Sequence, residues 1–245
     1  MTKNTTATEK RTRGVLYIAS GIEHITAALQ SAQSVRNTNP DLPIHLFADW
    51  QQQNIQLDIA PGPLTSWENI PKPHRRSKVD YIARTPFDQT LYLDTDTRVL
   101  CDLTDLFSLL EKFDVALSHA HKREIPGKQK KVYIQTPNAF PQFNSGVFLF
   151  KKNDKTMNVF SQWQKWFYES SLPTDQNTLR EVLWNSDLRI ATLPPEYNVR
   201  FLKYMLIWSR DEAQPKILHL PYYRQGIMSY VKRWRRIILR RFKAA

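Results

Sequence analysis

The chain of 245 residues has one cysteine, Cys101, and only six glycines. A single thiol excludes an intramolecular disulfide framework and any cysteine-built zinc cluster. Six glycines beside fifteen prolines and 12% aromatics exclude collagen-like, linker-like and repeat architectures. No apolar run approaches the ~20 residues that a spanning helix requires. Mean hydropathy is −0.52, so a transmembrane protein is not expected. Met1 to Arg13 is polar and threonine-rich with no apolar h-region; it reads as a frayed leader rather than a secretory signal. No G-x-G-x-x-G follows the first apolar run, so the dinucleotide-binding fingerprint is missing.

What is present suffices for a core: 41% of residues are hydrophobic and 24% charged, too apolar for disorder. The length fits one domain with decorations. The net charge of +12 resembles a nucleic-acid signal until it is located. Lys232, Arg233, Arg235, Arg236, Arg240, Arg241 and Lys243 form a terminal run without an acid, and subtracting their seven charges leaves +5 for the rest. The basicity is therefore largely separable from the body.

The apolar pattern alternates between short runs and helical stripes. Gly14–Ala19 reads as a buried strand, and Ile22 to Val35 as a helix with Ile22, Ile25, Ala28, Leu29, Ala32 and Val35 on one face. Ile44–Ala48 is a second strand, and the strand–helix–strand order predicts a parallel right-handed crossover. Residues 61–74 read as a loop and Ser77 to Arg84 as a short helix. Thr90–Leu93 is a strand running into Asp94-Thr95-Asp96, and Arg98–Leu100 resumes extended structure. Leu103–Phe113 is helical by spacing and Asp114–Ser118 a strand. Lys122 to Gln142 is a long polar connection of the kind that serves function or motion. Val147–Phe150, Leu188–Leu193 and Ile217–Leu220 read as strands. Thr156–Tyr168, Asp175–Trp184 and Ile227–Phe242 read as helices. The fold class is α/β, a single domain with a mixed, mostly parallel central sheet flanked by helices.

Asp94-Thr95-Asp96 is the strongest local feature. Its place after a buried strand puts it where ligands bind open α/β sheets. On an extended chain both carboxylates face one point, which favours a hard divalent cation, Mg²⁺ or Mn²⁺, between them. A turn or helix-capping acid is the plainer alternative. His219 ends an apolar run, either as a core histidine or as an imidazole that tilts a carboxylate pair towards Mn²⁺. Asn144, Ser145 and Gly146 stand just before a strand, as a turn or as an amide that hydrogen-bonds a polyhydroxylated ligand with glycine allowing close approach. Asp175-Gln176 opens a helix with Thr174 as the expected N-cap. His74, Arg75, Arg76 and Lys78 form a basic cluster, a solvated helix face or a diphosphate contact. Glu196-Tyr197-Asn198 is a polar loop. His119 and His121 alternate at a strand end with no third ligand at metal spacing.

Taken in order, these motifs resemble the glycosyltransferase A fold and, within it, the family-eight transferases. The resemblance spans residues 14 to about 222. It implies a transferase moving a sugar from a nucleotide-diphosphate donor, a UDP-sugar, to a glycan or lipid-linked acceptor with retention. It implies that Asp94, Asp96 and His219 hold the metal, that Lys78 reaches the donor's phosphates or sugar, and that Asn144, Asp175 and Gln176 line the donor sugar and carry the catalysis. Ser145 and Gly146 join the donor site, and Ile18 and Ser20 sit near the base. Three departures stand out. The Gly and Lys-Pro-Trp that often follow the late His are replaced by Leu-Pro-Tyr-Tyr-Arg224, with Arg224 the expected substitute. An Asp often found between the D-x-D and the Asn-Ser-Gly segment has only Glu124 in its region. The aromatic that stacks on uracil has only His24 as a stand-in. A sugar nucleotidyltransferase, a nucleic-acid-binding protein and a non-catalytic binding module of the same fold are the alternatives.

Residues 223–245 form a separate unit. Ile227, Tyr230, Val231, Trp234, Ile237, Ile238 and Phe242 lie on one helical stripe flanked by the seven basic residues. The pattern predicts a helix lying in an anionic membrane interface, with a cytoplasmic protein peripheral at the inner membrane face. A helix packed on its own domain and an RNA-binding tail are the alternatives.

Overall fold

The computed structural model describes residues 11–51, 53, 62–74, 76–120, 132–172, 174–209, 211–221 and 223; the predicted terminal helix 227–242, Arg224 and Glu124 lie outside them. The elements run β1 (Arg13–Ala19), α1 (Ile22–Thr38), β2 (Ile44–Ala48), β3 (Ser66–Asn69), α2 (Lys78–Tyr81), β4 (Gln89–Leu93) and β5 (Thr97–Val99). There follow β6 (Val115–His119), β7 (Phe143–Lys151), α3 (Asp154–Ser170), α4 (Gln176–Trp184), β8 (Ile190–Thr192), α5 (Leu202–Ile207) and β9 (Ile217–His219). Single 3₁₀ stretches cover Ile82–Arg84, Thr104–Glu111 and Pro195–Asn198.

Seven strands form one sheet in the order β3-β2-β1-β4-β7-β6-β8. All its pairings are parallel except those of β7, which runs antiparallel to both β4 and β6. Side chains alternate across the strands, so each strand feeds two cores. Val15, Tyr17, Leu91, Leu93, Val147 and Leu149 pack on the face covered by α1 and the Thr104–Glu111 turn. Leu16, Tyr92, Phe148 and Phe150 pack on the face covered by α3 and α4. Both faces are apolar, which is why these strands read as continuous hydrophobic runs.

Most predicted elements lie where the periodicity put them, within the usual end fraying. Three differ. Residues 61–74 hold β3, whose Ser-Trp-Glu-Asn is half-exposed at the sheet edge and so carries no apolar run. Phe143 to Gly146 belongs to β7 rather than to a turn before it; a central antiparallel strand buried on both faces accepts polar residues once they are hydrogen-bonded. Leu202–Ile207 is a short helix with Leu202, Met205 and Ile207 exposed, against the rule that apolar residues point inward, so its pattern shows no amphipathic period.

Buried polar side chains tie the layers together. Tyr17 donates to Ser31 (2.9 Å), Ser31 to Thr97 (2.7 Å) and Thr97 to the Asp94 carbonyl (2.9 Å). This chain links β1, α1 and β5 to the turn after β4; burial raises the Tyr17 hydroxyl above its usual range, so it stays a donor. On α4, the buried Glu181 accepts the backbone N–H groups of Val132, Tyr133 and Ile134 at 2.6, 2.7 and 2.9 Å. Asp114 binds Lys151 Nζ on β7 (3.0 Å) and accepts the Arg189 N–H beside β8 (2.8 Å).

Asp114 supplies a pH test of this scaffold. Burial pushes its carboxyl up, but the Arg189 amide and Lys151 outweigh burial and hold it below the ordinary range. A depressed native pKa gives stability that is complete above the unfolded value and lost as pH falls through the native one. Asp114→Asn is expected to cost about 1–3 kcal/mol at neutral pH. The gap to wild type should close as pH drops from about 4 downward. Denaturant unfolding of both proteins at several pH values checks this; a gap independent of pH would show that the ionised carboxylate contributes nothing.

Candidate functional site

The parallel strands β1, β2 and β4 end at one edge of the sheet, and β7, being antiparallel, starts there. Asp94 follows β4, and its N–H donates to the Gly146 carbonyl of β7 (2.8 Å). Asp94-Thr95-Asp96 is a turn rather than extended chain, closed by the Thr97–Asp94 hydrogen bond. The carboxylates converge because the turn folds them inward, not because strand alternation aligns them. β5 then pairs antiparallel with β9, with Thr97 opposite His219. Register therefore carries the imidazole to the acids: His219 Nε2 is 3.5 Å from Asp94 Oδ2 and 3.1 Å from Asp96 Oδ1. One ligand atom from each residue lies within 4.8 Å of the others. Gly146 makes room for this, since a Cβ there would overlap His219 Cε1 and come 2.5 Å from Asp94 Oδ2.

The hydrogen bonds behind the cluster fix its protons. The Gly146 N–H can only donate, so the Asn144 atom it meets at 3.1 Å is Oδ1. Asn198 must then present its amide nitrogen to that oxygen (3.0 Å). The Asn198 oxygen consequently faces His219 Nδ1 at 2.8 Å. It accepts, so Nδ1 carries the proton. On the other side of the ring an Arg200 guanidinium nitrogen hydrogen-bonds Nε2, and a guanidinium only donates. The Nε2 lone pair thus points at two carboxylates and a cation. Asn198 and Arg200 both reach His219 because they alternate about Val199. Val199 bridges Leu218 and packs with Leu218 and Leu220 in a small satellite core.

A second knot lies beneath. The buried Lys78 ammonium meets Ser145 Oγ (2.8 Å), Asp94 Oδ1 (3.3 Å) and Asp175 Oδ2 (3.3 Å). Ser145 also donates to Asp175 (2.8 Å), and Arg76 pairs with Asp175 Oδ1 (3.3 Å). Burial alone would lower the Lys78 pKa; Asp175 and Asp94 outweigh that and raise it above the ordinary lysine value. Burial pushes the Asp94 carboxyl up, and its cationic and hydrogen-bonding neighbours, Lys78 first among them, hold it well below the carboxylate range; the Tyr92 hydroxyl donates to it at 2.8 Å. Asp175, not Thr174, is the N-cap residue of α4, and its side chain makes no capping bond. The carboxylate is spent on Lys78, Ser145 and Arg76 instead.

Above these groups opens a cavity of about 540 Å³. Ile18, Ser20, His24, His74, Arg76, Lys78, Asp94, Asp96, Asn144, Gln176, Arg200 and His219 line it. Ser145, Gly146 and Asp175 are buried directly behind this wall. His24 stands over the acidic turn, 3.3 Å from Thr95 Oγ1. At the first strand–helix turn Gly21 adopts φ +88°, which favours glycine. Its N–H donates to both Asp49 oxygens, at 2.9 and 3.1 Å, so an internal carboxylate holds the amide that a phosphate loop would offer its ligand. His119, on β6, packs against Phe143 and is not part of this cavity.

The family model of glycosyl transferase family 8 matches residues 74–237, a span that includes the acidic turn, Asn144, Asp175 and His219. The chain belongs to glycosyl transferase family 8. It is a glycosyltransferase with the glycosyltransferase A fold, of the class that uses nucleotide-sugar donors. Among solved structures it is similar to galactosyltransferase LgtC, in complex with donor and acceptor sugar analogues, at 16% identity and TM-score 0.61 over 84% of this chain and 86% of that one. It is similar to the glycosyltransferase GlyE of Streptococcus pneumoniae TIGR4 at 22% identity and TM-score 0.56, over 84% of this chain and 54% of that one. Mouse xyloside xylosyltransferase 1 aligns at 10% identity and TM-score 0.55, over 84% and 97% of the two chains. No curated protein matches the sequence significantly.

In the family-8 enzyme Asp94, Asp96, His219, Lys78, Asn144 and Gln176 line one cavity, and Asp175, expected beside the donor sugar, lies buried behind its wall. The sequence reading centred on these residues. It treated Asn198 as part of a polar loop and passed over Arg200 and Asp49. The N-V-R alternation at 198–200 was the available signal, and it is too short to stand out. The proton assignment is testable: ¹⁵N spectra of His219 should report the Nδ1–H tautomer in wild type and a mixed population in Asn198→Leu. A wild-type Nε2–H ring would break the chain of donors that starts at Gly146.

Proposed function

We propose that the enzyme moves a sugar from a UDP-sugar to a glycan or lipid-linked acceptor, retaining the anomeric configuration, with Asp94, Asp96 and His219 holding Mn²⁺ or Mg²⁺. The observation that carries this reading is the Nε2 lone pair of a buried imidazole aimed at two carboxylate oxygens, all within 4.8 Å. Two anions and a lone pair facing one point repel one another, and hard oxygen donors with one imidazole suit Mn²⁺. When bound, such an ion neutralises the charge that builds on a leaving diphosphate.

The chain's own groups supply orientation. With its oxygen committed to Gly146 and Asn198, Asn144 keeps its amide N–H groups for sugar hydroxyls. Gln176 offers the same chemistry across the cavity. Asp175 sits one layer back, its oxygens fixed by Arg76, Lys78 and Ser145, and it holds those donors rigid. Lys78 gives all its hydrogen bonds to protein acceptors, so it sets a positive charge beneath the donor sugar rather than gripping phosphate. Ile18, Ser20 and His24 bound the base end. Fixing donor and acceptor this way lowers the barrier through proximity.

Asp94→Asn and Asp96→Asn are each expected to reduce Mn²⁺-dependent transfer at least a hundredfold while the proteins remain folded. The assay is a screen of nucleotide sugars for turnover and for Mn²⁺-dependent thermal stabilisation, which reaches about 2.7 kcal/mol at a hundred times Kd. Near-normal turnover by either variant at saturating Mn²⁺ would remove the carboxylates from the reaction.

We also propose that the enzyme sits on an anionic membrane surface, where a lipid-linked acceptor would meet it. No helix among the described residues is long and apolar enough to cross a membrane. The support is the basic amphipathic pattern of 227–242, at roughly 1 kcal/mol per basic residue near such a surface, together with the exposed Leu202, Met205 and Ile207 of α5. Full-length protein should float with anionic but not neutral liposomes, and truncation before Ser229 should abolish flotation. Equal binding to both liposome types, or binding that survives truncation, would overturn the membrane reading.

A further inference from the structure

A second pocket opens on the same edge of the sheet as the donor cavity. β6 is antiparallel to β7 and parallel to β8, and it ends beside the start of β7, with His119 opposite Phe143. β4, which leads into Asp94, and β6 flank β7 on its two sides. At about 4.8 Å per strand, the pocket lies roughly 10 Å along the edge from the acidic turn. It encloses about 450 Å³, a size usual for small-ligand sites. Phe143 is buried at its base. The rings of Phe140 and His119 each pack on Phe143, with centroids 5.8 Å away. Ile190 and Thr192 of β8 and Asn138 line it as well.

Buried charges on α4 hold its wall. The Arg180 guanidinium is buried and donates to the Phe140 carbonyl through Nε (2.9 Å) and Nη2 (2.7 Å), to the Pro137 carbonyl (2.6 Å) and to the Thr136 hydroxyl. Glu181, the next residue, holds the amides of Val132, Tyr133 and Ile134. The Phe140 ring also packs on Trp184, 5.2 Å away. Burying a guanidinium and a carboxylate is costly. Committing both to one connection fixes its shape in advance, and a preformed wall lowers the cost of binding. α4 begins at Gln176, which lines the donor cavity, and the next residue, Asn177, accepts from Gln142, the neighbour of Phe143 (3.0 Å). One helix therefore positions a wall of each opening.

The lining selects the ligand. Asn138 and Thr192 are exposed and offer amide and hydroxyl groups beside the aromatic surface. Among the described residues no Lys, Arg, Asp or Glu lines the pocket, although the chain carries +12. Phosphate and nucleic-acid ligands call for cations. Rings next to uncharged hydrogen-bonding groups suit a pyranose, whose C–H face packs on aromatic side chains while its hydroxyls find amide and hydroxyl partners. We propose that this pocket is a subsite for a neutral sugar unit of an oligosaccharide acceptor, set back from the unit that receives the transferred sugar. The proposal rests on the transferase reading above and adds that the acceptor is an oligosaccharide lying along the sheet edge from cavity to pocket.

The test is retention of full-length protein on an array of defined neutral and anionic oligosaccharides printed beside their monosaccharides, with UDP and Mn²⁺ present and absent. Wild type, Asn138→Ala, Thr192→Leu and Phe140→Ala are compared, with folding checked by circular dichroism. Wild type should be retained by a neutral oligosaccharide and more weakly by its terminal monosaccharide. Each variant should weaken the oligosaccharide roughly tenfold, the effect of losing one central contact, and leave the monosaccharide unchanged. Asn138 and Thr192 are exposed, so their variants serve if Phe140→Ala misfolds. Retention by no glycan, by anionic glycans only, or by neutral glycans undiminished in Asn138→Ala and Thr192→Leu overturns the proposal. Mn²⁺-dependent turnover of nucleotide sugars is read separately. Where turnover is present and the array fails in one of these ways, the transferase reading stands and only the pocket falls. Where the variants lose the oligosaccharide but wild type turns over no nucleotide sugar, the pocket stays a sugar site, and the transferase reading and the acceptor role fall together.

Discussion

Two carboxylates and an unprotonated imidazole nitrogen held within 4.8 Å of one another are a standing repulsion, and much of the structure exists to hold them there. Left in water, such groups would drift apart. In this fold three separate strand contacts prevent it. The Asp94 amide is bound to β7, the acidic turn is closed by Thr97, and His219 is locked opposite Thr97 by the β5–β9 ladder. The reversal of β7 in an otherwise parallel sheet has the same purpose in chemical terms. Only an antiparallel strand brings its first residues, Asn144 to Gly146, to the edge where its neighbours end.

The proton pattern follows from one backbone amide. Gly146 donates to Asn144, Asn144 fixes Asn198, and Asn198 fixes the ring of His219. Side-chain amides and imidazoles are ambiguous by themselves, and a chain of them acquires a direction only where it meets a group that can act one way. A glycine is required at that start for a second reason, because any Cβ there would occupy the space of His219 and Asp94. A single residue therefore sets both the proximity and the polarity of the cluster.

This division explains what was legible in the sequence. Strands β1, β2 and β4 and helices α1, α3 and α4 are written in apolar periodicity, because burial dictates it. Asp94 and His219 stood out as polar residues at the ends of such runs. β3 and α5 lack the signal, since one is half-exposed and the other carries Leu202, Met205 and Ile207 outward. Asn198 and Arg200 act through contacts twenty-one and nineteen residues apart in sequence, set by a bridge of one residue pair. No local pattern encodes a partner at that distance. Asp175 was readable as a helix-start acid, but the reason for its charge, the buried Lys78 and Arg76, is tertiary.

The charges around the cavity give the last step. Asp94, Asp96 and Asp175 carry three negative charges, and Lys78, Arg76 and Arg200 carry three positive ones, while His219 with its proton on Nδ1 is neutral. The site is balanced by its own side chains. A divalent ion alone would leave it with an excess of two positive charges in a partly buried space, and a nucleoside-diphosphate sugar alone would bring one negative charge on each of two phosphoryl groups. Either imbalance is costly where water is scarce. Together they would cancel. The chain lacks the Lys-Pro-Trp segment that often closes such sites in its family. Charge neutrality of ion and donor as a pair would then be a physical basis for admitting them jointly.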